Sequence, residues 1–251
     1  MADSKFIDTP QGRRIAYHLT GGKGPTVVFL GGFRSDMEGT KAVYLDSWCR
    51  EHGRGFLRFD YSGHGDSEGA FPEGTIGRWT ADALTVIEAS TKGPLVLVGS
   101  SMGGWIMLLA ALALKDRVRG LVGVSAAPDF TQDLMWRSLD DEQRRVLTEQ
   151  GELYLPSDYL DDPFPITMKL IEEAKQQLLL DAPIKLDCPV RLIHGLEDSD
   201  VPWETSVKLA NQLASRDVDI RLLKGGGHRL SEQAHLELIA DTVSALASPG
   251  G

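Results

Sequence analysis

The chain is poor in the residues that cross-link proteins or hold metals. Cys49 and Cys188 are its only cysteines. Neither belongs to a C-x-x-C pair or has a neighbouring histidine, so both read as reduced structural thiols rather than a disulfide or a metal pair. No His/Asp/Glu cluster has metal-ligand spacing, and neither a metal nor any other cofactor is expected. Basic runs are missing too. With 26 basic against 36 acidic residues and a formal net charge of -10, nucleic acid and anionic membrane surfaces are poor partners. There are no repeats, low-complexity segments or long linkers, and 251 residues suffice for one α/β domain with a sizeable core. The opening residues, Met-Ala-Asp-Ser-Lys-Phe-Ile-Asp-Thr-Pro, carry no apolar leader segment. They predict a cytoplasmic protein, or a mature form already trimmed.

An unbroken long apolar run is also lacking. No charge falls between Lys92 and Lys115, which by length alone invites a membrane span. The stretch is split by Gly99, Ser100, Ser101, Gly103 and Gly104 into a short β-prone run and a helical run. No membrane insertion is therefore expected; the halves read as strand, sharp turn, helix. At the turn, Gly99-Ser100-Ser101-Met102-Gly103 is a G-x-S-x-G, in which small flanking residues let a strained elbow lift a serine hydroxyl above a sheet.

The remainder alternates around this element. Ile15 to Thr20, Thr26 to Leu30, Phe56 to Asp60, Leu95 to Val98, Gly120 to Val124, Val190 to His194 and Val218 to Leu223 read as strands. Lys41 to His52 has Ala42, Leu45, Trp48 and Cys49 at helical spacing, and Ile76, Trp79, Ala83 and Ile87 mark a second helix started by Thr75. Later helices are predicted from Pro202 in a first turn and from Ser231 as a cap. Alternation of this kind implies a doubly wound, mainly parallel sheet with right-handed crossovers. It stops between Ala126 and Leu186. Helices over Asp140 to Gln150, ended by Gly151, and over Ile166 to Leu180 are expected there as an inserted helical cap, with Pro156, Pro163 and Pro165 between them.

A serine nucleophile needs a base, and the base needs a carboxylate. Asp198 follows one late strand and His228 sits in a Gly-rich loop after the next, giving the order Ser101, Asp198, His228. Glu197 and Asp200 compete with Asp198, Asp129 is the fallback acid, and His235 is the rival base. His18, His52, His64 and His194 read as structural. The amide of Met102 is one expected oxyanion donor and that of Phe33, after Gly31-Gly32, the other. Phe130, Leu134, Met135 and Trp136 enter the cap and are expected to roof the site as an acyl pocket. Arg34 is a candidate contact for an anionic leaving group.

Taken together, Gly-Ser-Ser-Met-Gly-Gly-Trp from Gly99, Phe-Asp-Tyr-Ser-Gly-His-Gly-Asp-Ser from Phe59, Gly-Thr-Ile-Gly-Arg-Trp from Gly74, Cys-Pro-Val-Arg-Leu-Ile-His-Gly-Leu-Glu-Asp with Val201-Pro202-Trp203, and Gly-Gly-His-Arg ending at Arg229 resemble an α/β-hydrolase. Within that superfamily the chain is similar to the animal mitochondrial group of acyl-glucuronide esterases and acyl-protein thioesterases. The resemblance runs from about Phe6 to Ala247. It implies Ser101 as nucleophile, Asp198 as acid, His228 as base, oxyanion amides at Phe33 and Met102, and an acyl-enzyme route to ester or thioester cleavage of a small-molecule substrate. One departure is visible: many α/β-hydrolases enter the oxyanion loop with His-Gly, where this chain has Gly31-Gly32. Small-molecule receptors on the same fold, C-C hydrolases and peptidases are the alternative readings.

Overall fold

The computed structural model describes residues 4–155 and 163–248. Pro156, expected as one of the prolines separating the cap helices, lies outside the described residues.

An eight-stranded sheet forms the centre. Its strands are β1 (Lys5–Asp8), β2 (Arg14–Thr20), β3 (Lys23–Leu30), β4 (Arg54–Phe59), β5 (Leu95–Ser100), β6 (Val118–Val124), β9 (Val190–Gly195) and β10 (Val218–Leu223), in the order β1-β2-β4-β3-β5-β6-β9-β10. The six strands from β4 to β10 in that order run parallel, while β1 and β2 are antiparallel at one edge. The edge strand β1 carries too little apolar pattern to be legible from sequence, and pairing with β2 defines it.

Alternation along the strands divides the core in two. Val28, Leu30, Leu95, Leu97 and Leu121 face one side, with Trp79, Ala83 and Ile87 of α2 (Ile76–Ser90) and Trp105, Ile106 and Leu108 of α3 (Met102–Ala113). Val27, Phe29, Val98, Val122 and Val124 face the other, with Ala42, Leu45 and Cys49 of α1 (Thr40–Glu51) and Ile239, Ala240 and Val243 of α7 (Gln233–Ala247). The Thr75 side chain accepts from the Arg78 N–H and opens α2, as its sequence predicts; such a cap contributes about 1 kcal/mol.

The elbow is tight because α3 starts against the neighbouring strand. A Cβ on Gly103 would lie 2.1 Å from the Leu30 carbonyl oxygen, so only glycine lets the helix approach β3 this closely. Ser101 stands at φ 55, ψ −123, a backbone conformation that costs a non-glycine residue energy and marks functional sites.

Between β6 and β9 the chain leaves the sheet, and here the expected helical cap is corrected. A π-helical turn (Thr131–Trp136) leads to α4 (Asp141–Gln150), which has the predicted start at Asp140, a capping box to Gln143, and a left-handed Gly151 at its end. The helix expected over Ile166 to Leu180 is only α5 (Met168–Ala174). Before it, β7 (Glu152–Leu155) and β8 (Phe164–Thr167) pair antiparallel. Ile166 and Thr167, expected to open the helix, pair instead with Leu153 and Glu152. At the other end, the N–H groups of Leu179 and Leu180 donate to the Asp129 carboxylate rather than continue a helix. The apolar spacing of Leu170, Ile171 and Ala174 is thus helical, while Leu178 lies beyond.

Two helix starts also move. In α6 (Glu204–Gln212) Trp203 occupies the cap and Pro202 precedes it, because the backbone at Val201 is engaged by Asp198 and His194. In α7 the cap position is Glu232, without a side-chain bond, and not Ser231. Among the described residues, no helix is long and apolar enough to cross a membrane, and no group of three or more His, Cys, Asp or Glu side chains is placed to hold a metal ion.

Candidate active site

Three loops at the carboxyl ends of β5, β9 and β10 bring Ser101, Asp198 and His228 together. His228 Nε2 lies 3.0 Å from Ser101 Oγ, and His228 Nδ1 lies 2.9 and 3.1 Å from the two Asp198 oxygens. A carboxylate only accepts, so Nδ1 carries the proton and Nε2 faces the serine hydroxyl as an acceptor. The His228 side chain is 16% exposed and that of Asp198 fully buried. Burial alone would raise the Asp198 carboxyl. The hydrogen bonds from His194, His228 and the Val201 N–H outweigh it and hold the carboxyl well below the usual carboxylate range.

The rival residues have other partners. Asp129, at φ 58, accepts from Leu179 and Leu180 and clips the returning chain to the end of β6. Asp200 donates its N–H to Asp198 Oδ1, and Glu197 donates its N–H to the Gly226 carbonyl. His235 lies in α7, its Nδ1 buried without a partner among the described residues.

The loop after β3 lies beside the serine. A Cβ on Gly32 would come within 3.4 Å of the Ser101 Cβ and of the Ser100 carbonyl oxygen. Among the described residues, neither the Phe33 nor the Met102 N–H donates to a protein acceptor, and Met102 is the first residue of α3. Both amides therefore remain available at a helix start and a loop turn, as an oxyanion requires.

Above this group, Phe33 makes edge contacts with Phe71, Trp79, Phe130 and Phe164 at centroid distances of 5.0, 6.0, 5.9 and 6.0 Å. The Arg34 guanidinium lies over Phe71 and Phe164, 5.8 and 5.6 Å from their centroids, with Nη1 buried and unpartnered among the described residues. It borders a cavity of about 380 Å³ lined also by His64, Phe71, Tyr154 and Pro165. Trp136 is not brought to this group. It packs in the cap's own cluster around Leu139, Leu147, Ile166 and Ile171, under the Arg144 guanidinium.

Sequence reasoning passed over three supporting residues. His194 was legible only as a structural histidine, yet its Nε2 is 3.1 Å from Asp198 Oδ2. Lys41 of α1 donates to the carbonyl of Arg229, next to His228, and burial followed by the nearby Arg229 charge pushes its ammonium down to about 8. Trp79, singled out in the Gly-Arg-Trp stretch, donates its indole N–H to the Ser62 carbonyl, and Asp82 accepts the Ser62 N–H, so α2 fixes the 61–67 loop. The partners of Lys41 and Trp79 are distant in sequence, whereas those of His194 Nε2 lie within the turn that follows it, from Asp198 to Val201.

The comparisons with known proteins agree with this architecture. The alpha/beta hydrolase family profile matches residues 27–242. The chain is 40% identical over 244 residues to the bovine mitochondrial palmitoyl-protein thioesterase ABHD10, covering 96% of this chain and 79% of the relative. Among solved structures, a putative hydrolase from Agrobacterium vitis S4 superposes with a TM-score of 0.94 at 38% identity, covering 98% of this chain and 99% of that one. Mouse alpha/beta hydrolase domain-containing protein 10 superposes with a TM-score of 0.90 at 39% identity, covering 98% of both chains. These findings overturn the expected cytoplasmic location, since the bovine, mouse and rat relatives are all named as mitochondrial. With the profile spanning most of the sheet and near full-length likeness on both counts, the protein belongs to the alpha/beta hydrolase family and is a hydrolase.

Proposed function

We propose that the protein cleaves acyl thioesters and esters through an acyl-enzyme on Ser101. The observation that carries this reading is the continuous path from Ser101 Oγ through His228 to Asp198, with the serine on a strained elbow. Ser101 Oγ attacks the acyl carbonyl and its proton passes to His228 Nε2. Asp198 holds the Nδ1–H and stabilises the imidazolium. The N–H groups of Phe33 and Met102 receive the oxyanion; one such donor contributes roughly 3 kcal/mol of transition-state stabilisation. Collapse breaks the C–S or C–O bond, and His228 returns the proton to the departing thiolate or alkoxide. A water then attacks the acyl-enzyme by the same route in reverse order.

The substrate class is an acyl chain on a thiol or alcohol, as the name of the thioesterase relatives suggests. The aromatic group around Phe33 supplies an apolar wall for the chain, and residues 126–186 form the cap that carries part of it through Phe130 and Phe164. Trp136 supports that wall from inside the cap. Arg34, with a buried nitrogen left open, receives an anionic leaving group.

Stoichiometric labelling of Ser101 by a fluorophosphonate, together with multiple turnover of a p-nitrophenyl ester and a palmitoyl thioester, tests the reading. Labelling without turnover indicates a ligand-binding module on the same fold.

A further inference from the structure

The loop between β4 and α2 contains a buried imidazole that the mechanism above does not use. His64 is 5% exposed, and each ring nitrogen faces a group able to play only one part. The Ser62 carbonyl, 3.3 Å from Nδ1, only accepts, so Nδ1 carries the proton. The Arg34 N–H, 3.2 Å from Nε2, only donates, so Nε2 accepts it. His64 is therefore held as a neutral imidazole of one tautomer. Burial, only partly opposed by the Ser62 bond, pushes it down to about 4 and keeps it neutral at working pH.

The residue it engages lies next to Phe33. Arg34 has φ 58, a conformation a non-glycine side chain resists, so an external bond is needed to hold it. On the other side of Phe33, the Ser35 N–H donates to the Gly32 carbonyl at 3.1 Å. In a trans peptide the C=O and the following N–H point in opposite directions. With the Gly32 carbonyl turned to Ser35, the Phe33 N–H is turned out of the loop. The two bonds together fix the peptides on either side of Phe33.

The imidazole is itself fixed. Its ring makes edge contacts with Tyr61, Phe71 and Trp79 at 5.6, 5.1 and 5.2 Å. A Cβ on Gly65 would lie 2.1 Å from Asp60 Oδ2, so the loop closes onto that carboxylate. Asp60 then accepts the N–H groups of Met37 and Asp66, lacing the same two loops together a second time.

We propose that His64 is a positioning residue for the oxyanion hole: by accepting the Arg34 N–H it holds residues 31–35 so that the Phe33 amide meets the developing oxyanion. It supplies from the β4 loop the anchor that Gly31-Gly32 cannot supply from within its own loop. The proposal rests on Ser101 as nucleophile and Phe33 as oxyanion donor.

His64→Phe keeps an aromatic ring but removes the acceptor, and His64→Gln places an amide oxygen near the Nε2 position. The expected result for His64→Phe is a fall in kcat of roughly 10- to 100-fold, short of the roughly 10²- to 10³-fold cost of deleting a donor outright. KM stays within about two-fold, and affinity for an alkyl trifluoromethyl ketone falls by the same factor as kcat. His64→Gln regains most of both. Should His64→Phe fail to fold, His64→Gln is compared with His64→Asn, whose amide reaches only toward the Nδ1 side; Gln should exceed Asn in kcat by about ten-fold. A folded His64→Phe with unchanged kcat and ketone affinity, a loss confined to KM, or equal Gln and Asn variants overturns the proposal. Ser101→Ala separates this outcome from failure of the underlying reading: if that variant still turns over, the nucleophile is wrong, and if it is inactive while His64→Phe is fully active, only the His64 role falls.

Discussion

His194 Nε2 lies 3.1 Å from Asp198 Oδ2, with both side chains fully buried. The same nitrogen is 2.9 Å from the Val201 carbonyl, so it carries a proton, while Nδ1 accepts from the Ser206 hydroxyl at 2.7 Å. Asp198 is thus bound by two imidazoles as well as by the N–H groups of Asp200 and Val201. His194→Phe strips one donor from Asp198, leaves the Val201 carbonyl without its donor and the Ser206 hydroxyl without its acceptor. We expect a stability loss of about 1 to 3 kcal/mol in urea unfolding and a smaller fall in kcat than for any change at Asp198. A variant as stable as the parent would show that the contact is incidental.

Ser101, His228 and Asp198 should behave as one unit. By comparison with subtilisin, Ser101→Ala and His228→Ala should each lower kcat by roughly 10⁶, and the double variant scarcely further. Asp198→Asn should cost roughly 10³ to 10⁴ with the fold retained, because the wrong His228 tautomer then faces the serine. Steady-state and single-turnover kinetics on a p-nitrophenyl ester decide the matter, and losses of only a few-fold would remove the assignment. The depressed Asp198 carboxyl contributes stability that is present above its unfolded value and lost as pH falls toward the native one. Any acid limb in activity above about pH 5 therefore belongs to another group.

Asp129 ties the returning cap segment to the sheet, and we expect it to take no part in the chemistry. Asp129→Ala leaves the Leu179 and Leu180 N–H groups without their acceptor. The expected cost is about 1 to 3 kcal/mol, with faster proteolysis around residues 175–180. Fluorophosphonate labelling of Ser101 should continue. A triad-sized loss of kcat in a folded Asp129→Asn protein would transfer the acid role to Asp129.

Buried His64 gives stability a pH dependence of defined sign. Its folded value of about 4 lies below the ordinary 6.5, so between these limits the unfolded chain binds more protons. Stability should then fall as pH drops from about 6.5 to 4, by up to about 3 kcal/mol, and level off below. The charged groups around the ring are Asp82, Arg34 and Asp36. Unfolding curves for His64→Gln should lack this component. An unchanged slope would assign the proton to another group.

Chain length and leaving-group charge test the pocket. Each buried methylene contributes up to about 0.8 kcal/mol, so kcat/KM should rise from acetyl to medium-chain esters before it levels. Trp136→Ala should lower stability and flatten that rise only partly, because its ring packs within the cap. Arg34→Ala should lose more on anionic than on neutral leaving groups, and equal losses would leave Arg34 as a clasp between Phe71 and Phe164.

The local chemistry of the chain settled much of this. Apolar runs too short for a membrane, broken by Gly99-Ser100-Ser101-Met102-Gly103, dictate a strand, an elbow and a helix, and alternation dictates a parallel sheet. The order Ser101, Asp198, His228 was readable because loops at the carboxyl ends of parallel strands must face one another. Tertiary structure alone decided the rest. Leu178 continues a helical pattern, yet the helix ends at Ala174, and the Leu179 and Leu180 N–H groups go instead to Asp129, some fifty residues upstream. β1 exists only because β2 supplies its hydrogen bonds. His64 and His194 read alike as structural histidines; the Nε2 of His64 meets its partner Arg34 only because two loops are joined across the fold. Periodicity reports the face a residue turns toward the core, whereas a polar group's partner is fixed only when distant segments close around it.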